Sequence, residues 1–255
     1  MSNRCKNCSN DLTGNYCSNC GQSVHTSRIN LHYIIHEFLH GVLHVDKGII
    51  YTCKELTIRP GKTIRNYLSG KRVNYFKPFG YLFLLATIYT VVMHFLGVPI
   101  FGNYEMVSHM EGDINQEVTE KLATINSLSK SMFDFMNNHY AATSLISLPI
   151  AALCTFLCFF STKYNYGEHL IVNSYIYGQT ILASIILIPF SYFFPEYNLM
   201  TASIIVLFLK IYMAVCVFNQ YKLLNRIIRA IVAFILEYII IIFIITILTL
   251  FFLFS

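Results

Sequence analysis

Charge is scarce in this chain. Asp, Glu, Lys and Arg make up 12% of its 255 residues, where a soluble domain carries about 25%. Hydrophobic residues reach 55%, and mean hydropathy is +0.54. This balance excludes an ordinary water-soluble fold and points to the membrane class. No segment resembles a cleavable leader, and none is expected, since the first apolar run long enough to span opens near Phe79. Missing too is a compact Arg/Lys run or any recognisable nucleic-acid module, so nucleic acid is not an expected partner. The net charge of +5 is nonetheless uneven. Residues 1–78 hold eleven Lys/Arg and four acids, leaving +7. A basic head before a first span is expected to neighbour membrane lipids with anionic headgroups.

A helix needs about 20 mostly apolar residues to cross a bilayer. Five segments meet that need: 79–101, 141–161, 170–194, 199–218 and 230–254. Pro189 lies inside the third and is expected to kink it. The expected fold is an all-α integral membrane protein of about five transmembrane helices, filling residues 79–255. A loop at 102–140 carries six acids and two lysines. The basic segments fall before span one, between spans two and three, and between spans four and five. Alternating spans put all of them on one side, which the positive-inside rule assigns to the cytosol. The N-terminus is then cytosolic and the C-terminus external. Within the external loop, Val118, Leu122, Ile125 and Leu128 recur at helical spacing, with Phe133 and Met136 beyond. That pattern predicts an amphipathic helix that covers the outer mouth of the bundle or lies on the surface, with a packing helix the plainer reading.

Residues 1–25 contain two C-x-x-C pairs, Cys5/Cys8 and Cys17/Cys20. Two such knuckles at short range bring four thiolates around one Zn²⁺. So short a segment cannot bury a core, so the metal supplies its folding free energy. Gly14 and Gly21 suit the tight turns required. Disulfides would need an oxidising compartment, against the expected cytosolic placement. Four protein thiolates leave no open coordination position, which makes the zinc structural rather than catalytic. Such a ribbon either presents a surface to a cytosolic or membrane partner or folds back on the membrane domain. Cys53, Cys154, Cys158 and Cys216 sit in apolar surroundings and read as free thiols.

Residues 26–78 read as amphipathic interfacial helices joining ribbon to bundle. Over 29–45, Leu31, Ile34, Ile35, Phe38, Val42 and Val45 share one face. His32, His36, His40 and His44 run beside them. His36-Glu37-Phe38-Leu39-His40 matches H-E-x-x-H, in which two histidines bind zinc and the glutamate polarises water. No third ligand stands in a known downstream motif, and a superficial helix excludes water poorly. A polar helix face is the plainer reading. Helical stretches are also expected up to Ile58 and from Pro60 to Gly70. The end of the latter delivers Lys71 and Arg72, with Lys77 beyond, to the headgroup plane. Its Gly-Lys is not a P-loop, since the preceding strand and spacing are lacking.

Polar residues also mark the spans. Glu168, His169 and Asn173 open the third, Lys210 lies in the fourth and Glu237 in the fifth. Intramembrane charges usually face inward, paired. Lys210 and Glu237 sit at similar depths and are expected to meet across antiparallel helices. The group is either a polar pathway or headgroup pocket, or a structural ion pair with snorkelling neighbours.

Several of these residues form a recognisable pattern. It runs Cys20-Gly21-Gln22, Asp46-Lys47-Gly48, Tyr51-Thr52, Arg59-Pro60-Gly61, Tyr67-Leu68-Ser69-Gly70-Lys71-Arg72-Val73 and Lys77-Pro78. Glu168-His169-Leu170 and Ile211-Tyr212 follow. The pattern resembles an uncharacterised bacterial family of zinc-ribbon-headed polytopic inner-membrane proteins, known as a domain of unknown function. The resemblance covers most of the chain and is densest over residues 5–80. It implies a bacterial inner-membrane location and no activity. Three functions follow as expectations. The leading one is a non-enzymatic scaffold or regulatory module whose ribbon meets a protein partner or lipid headgroups. A small transporter or lipid-handling protein comes second, and a metallohydrolase on His36, Glu37 and His40 third.

Overall fold

The computed structural model describes residues 4–31, 33–34, 48–101, 116–193 and 199–254. His32, His36, Glu37, His40 and His44 lie outside the described residues, so the H-E-x-x-H segment has no structural account. The described chain is helical apart from the cysteine-rich head, which carries two isolated β-bridges.

Two short helices follow the head, α1 (Ile49–Ile58) and α2 (Pro60–Leu68). Pro60 at the first position of α2 costs nothing, because that N–H has no helical acceptor. Then comes α3 (Pro78–Leu96), also opened by a proline. It closes on Gly97 at φ +65, with Gly97 N–H on His94 O and Val98 N–H on Met93 O. That is a Schellman cap, and it satisfies carbonyls that a far-side basic residue would otherwise meet. The loop helix α4 (Gln116–Asn138) packs on α3, α5 and α8, with Ile125, Leu128, Phe133 and Met136 half-buried. The remaining helices are α5 (Tyr140–Cys158), α6 (Tyr166–Phe193), α7 (Leu199–Val217) and α8 (Leu223–Phe254).

Four helices are long and apolar enough to cross a membrane: α3, α5, α6 and α8. The fourth expected segment forms α7, whose apolar described stretch, Ser203–Val217, is shorter than a full span. At about 1.5 Å per residue, the 19 residues of α3 or α5 reach about 28 Å. That matches a hydrocarbon core of about 30 Å.

Burial runs opposite to apolarity. The most apolar span, α8, is only 17% buried, while the more polar α6 is 56% buried. Water would drive the reverse order. Isoleucine and phenylalanine side chains along α8, among them Ile235, Ile239, Ile242 and Phe243, are exposed side by side. A patch of that size belongs against lipid.

The core gathers around α6, which packs against α3, α5 and α7 and also against α1 and α2. Gly61 of α2 makes the closest approach. A Cβ there would sit 2.1 Å from Cys216 O, so only glycine lets α2 lie on the end of α7. The α1–α2 pair packs on the bundle by one face. Its inner face is built into the bundle, with Leu56, Ile64, Tyr67 and Leu68 in the shared core. Its outer face shows Lys54, Ile58, Arg59 and Lys62.

Candidate metal centre and the polar layer below it

The head is two knuckles with one backbone pattern. In the first, Cys5 N–H bonds Asn10 O (2.8 Å) and Ser9 N–H bonds Cys5 O (2.9 Å). In the second, Cys17 N–H bonds Gln22 O and Gly21 N–H bonds Cys17 O, both at 2.9 Å. Each turn needs one left-handed residue after its second cysteine. These are Ser9 at φ +63 and Gly21 at φ +72. The expectation for Gly21 therefore stands, but Gly14 has no positive φ, and Ser9 fills the matching position. The sequence hid this because serine is an unusual occupant of that region.

This folding turns four sulfurs inward. Cys5 Sγ and Cys20 Sγ are 3.6 Å apart, Cys8 Sγ and Cys17 Sγ 3.5 Å, and all four lie within 4.8 Å of one another. Tetrahedral coordination with metal–sulfur bonds of about 2.3 Å places sulfurs about 3.8 Å apart. A disulfide needs about 2.05 Å, and all eight cysteines are free. Backbone N–H groups face the sulfurs, as Asn7 N–H does Cys5 Sγ at 3.4 Å. A backbone hydrogen bond at Cys8 holds the Cys5 thiol below its ordinary value. One at Asn10 lowers Cys8 to about 6. Burial pushes Cys20 up to about 11. A cation in the centre stabilises all four thiolates at once. This cluster could hold a metal ion, and it is the only such cluster among the described residues.

The head is seated on the helices. Gln22 is buried, and its Oε1 accepts the N–H groups of Arg72 and Val73, each at 3.0 Å. Arg72 in turn donates to Ser27 O and Tyr67 O and lies over the Tyr33 and Tyr67 rings. Its guanidinium is thus occupied by protein. Gly70, at φ +99, lies so close that a Cβ would meet Lys6 and Thr26 at 3.0–3.1 Å. On the other flank Arg28 forks onto both oxygens of Glu168, at 3.0 and 2.8 Å, and also donates to Lys163 O. Asn165 Nδ2 holds Ile29 O at 2.8 Å.

Glu168 also belongs to a capping box. Asn165 Oδ1 accepts Glu168 N–H (2.9 Å), and Glu168 Oε2 accepts Asn165 N–H (2.8 Å). This start places α6 at Tyr166, four residues before its apolar run.

Deeper in, the residues grouped by sequence separate into distinct sets. Lys210 Nζ donates to both Glu237 oxygens at 3.1 Å and to Tyr177 Oη at 3.2 Å. Tyr177 Oη also donates to Glu237 Oε1. The ammonium lies over the Tyr177 and Phe234 rings at 4.3 and 4.5 Å. Its three donors are all used, so the pair is complete as it stands. His169 and Asn173 instead share Thr155 of α5, at 3.1 and 2.8 Å, with His169 stacked on Phe218. His169 Nε2 and Asn173 Oδ1 are buried with no partner among the described residues. A third set links Gln179 to Tyr81 (2.7 Å) and to Thr57 of α1 (2.8 Å). Arg28, Thr155, Tyr81 and Thr57 were not singled out from sequence. Only the Asn165-x-x-Glu168 spacing offered a local signal for any of this.

Residues 46–90 match a family described as a protein of unknown function, DUF3667. The match covers α1, α2, the connection that seats the head, and the first part of α3. No curated protein and no solved structure matches the chain.

Proposed function

We propose that this chain is a non-enzymatic scaffold or regulatory module of a bacterial inner membrane. In this reading α7 completes a bundle of five spans, and the basic face with its head lies in the cytosol. Cys5, Cys8, Cys17 and Cys20 hold one structural Zn²⁺, and the zinc ribbon serves as a fixed platform at the membrane surface. The observation that carries the reading is the seating of the head. A closed four-thiolate site is tied by Gln22 to the connection between α2 and α3 and by Arg28 to the start of α6. A ribbon serving only as a tethered adaptor needs no such clamp. The complete Lys210–Glu237–Tyr177 set favours a static ion pair over a transport path.

The test is metal analysis combined with hydrogen exchange on the full chain in a bilayer. One zinc per chain is expected. Removing it with a chelator should expose the amides of residues 4–25 and also those of Arg72 and Val73, whose acceptor is Gln22. A head that stays protected without metal refutes the platform. Two zinc ions per chain would instead favour a second site on His36 and His40.

A further inference from the structure

A cavity of about 380 Å³ opens where the head meets the helices, between Thr26–Arg28, the end of α2 and the α5–α6 turn. We propose that it binds a phosphate group, supplied by an anionic phospholipid at the headgroup plane. The inference rests on the platform reading above and adds a ligand to it.

Charge is the first support. Lys6, Arg28 and Lys163 line the cavity against one acid, Glu168. That acid is already neutralised inside the wall by the Arg28 fork and the Asn165 N–H. Two ammonium groups remain. Lys6 uses one donor on Thr26 O (2.7 Å), and Lys163 is exposed with no side-chain partner among the described residues. Thr26, also in the lining, keeps a buried hydroxyl with no partner among them. Phosphate oxygens would meet both kinds of unused donor.

Position is the second support. The span α5 ends at Cys158, five residues before Lys163. Leu157 and Phe160, 52% and 68% exposed, mark its surface at that level. Acyl chains lying on these residues bring their phosphate to Lys163. A soluble phosphate would gain nothing from this apolar apron, which is why a lipid is the favoured source.

The chain has no tryptophan, so Phe160→Trp creates a single fluorescent reporter on an exposed position three residues before Lys163. The full chain carrying it is placed in phosphatidylcholine vesicles with a minor share of bromine-labelled lipid. Labelled phosphatidylglycerol should quench at a far lower mole fraction than labelled phosphatidylcholine. About fivefold per lysine, or about 25-fold for two at low salt, is expected from the attraction of surface bases for anionic lipid. The preference should shrink as salt screens it. Lys6→Gln with Lys163→Gln should remove it, and Lys6→Arg with Lys163→Arg should keep it. Displacement by millimolar inorganic phosphate keeps the phosphate site and makes free phosphate its occupant. Equal quenching by both lipids with no effect of phosphate overturns the proposal, as does a preference that survives the glutamine pair. Zinc is counted on the same samples. A zinc-loaded head without lipid preference sinks the cavity alone, whereas a head without zinc sinks the platform.

Discussion

Replacing Gly61 by alanine separates two physical effects of opposite sign. Helix propensity alone favours the change by about 1 kcal/mol, since Gly61 lies inside α2. Packing opposes it. The new Cβ would sit 2.1 Å from Cys216 O and 2.5 Å from Cys216 C. Both are backbone atoms at the end of α7 and cannot rotate aside. The helices must part by about an ångström to restore ordinary contact, at the cost of about 1–3 kcal/mol typical of overpacking. That movement also pulls Arg65 from its acceptors Cys216 O and Val217 O. Hydrogen bonds from a charged group contribute about 1.5–3 kcal/mol. The net expectation is a loss of about 1.5–5 kcal/mol after the propensity gain is subtracted. Thermal unfolding in lipid nanodiscs should show a midpoint lowered by several degrees. Amide exchange should rise in α2 and at the end of α7 while α8 stays protected. A midpoint that is unchanged or raised would mean that α2 does not rest on α7 as described.

Three further outcomes follow from the same geometry. Lys210→Met should destabilise the bundle by about 3–5 kcal/mol, because Glu237 is left buried without its cation. Adding Glu237→Leu should restore most of that loss, and a double-mutant cycle on unfolding midpoints reads the recovery. Gly70→Ala forces a residue with a Cβ to φ +99 against Lys6 and Thr26. It should loosen the head, seen as faster exchange at Arg72 and Val73, without changing the zinc count. Ser9→Gly should raise zinc affinity by about 5- to 30-fold, since a non-glycine residue in the left-handed region costs about 1–2 kcal/mol. Competition with a chromogenic chelator measures it, and unchanged affinity would count against strain at Ser9.

The parts legible in the sequence are those set by local pattern. Four spans, the cysteine knuckles and the helices around Pro60 each follow from spacing within a few residues. The starts of two spans are less legible, for a physical reason. Apolar content marks the stretch that lipid surrounds, not the stretch that is helical. Thus α6 begins at Tyr166, before the apolar run at Leu170, because its first turns are buried by protein and capped by Asn165. Likewise α8 begins at Leu223, since Arg226 and Arg229 sit in helical turns that hydropathy excludes. Partner choice is least legible. Arg28 meets Glu168 across 140 residues of sequence. Glu168 was grouped with Lys210 and Glu237 because all are polar residues near spans. The fold instead spends it on seating the head.

The basic residues divide by type, and the division follows from helix direction. In an antiparallel bundle every second helix ends on the head side, leaving orphan carbonyls there. Arginines meet them. Arg65 holds Cys216 O and Val217 O, Arg226 holds Val215 O, and Arg229 holds Cys158 O. Arg28, Arg59 and Arg72 are likewise committed, to Glu168, Glu55 and Ser27 O. On the far side Gly97 closes α3 by backbone alone. Most lysines behave differently, Lys6 on Thr26 O and Lys210 on Glu237 excepted. Lys54, Lys62, Lys163 and Lys222 are exposed, Lys71 and Lys77 half-exposed, and their side chains make no hydrogen bond or ion pair among the described residues. A planar fork suits fixed carbonyls and carboxylates, while a flexible ammonium suits mobile headgroups. Under the platform proposal, positive charge on this face would do two jobs. Arginine closes the ends of α5 and α7, and the uncommitted lysines would face the membrane surface on which the platform rests.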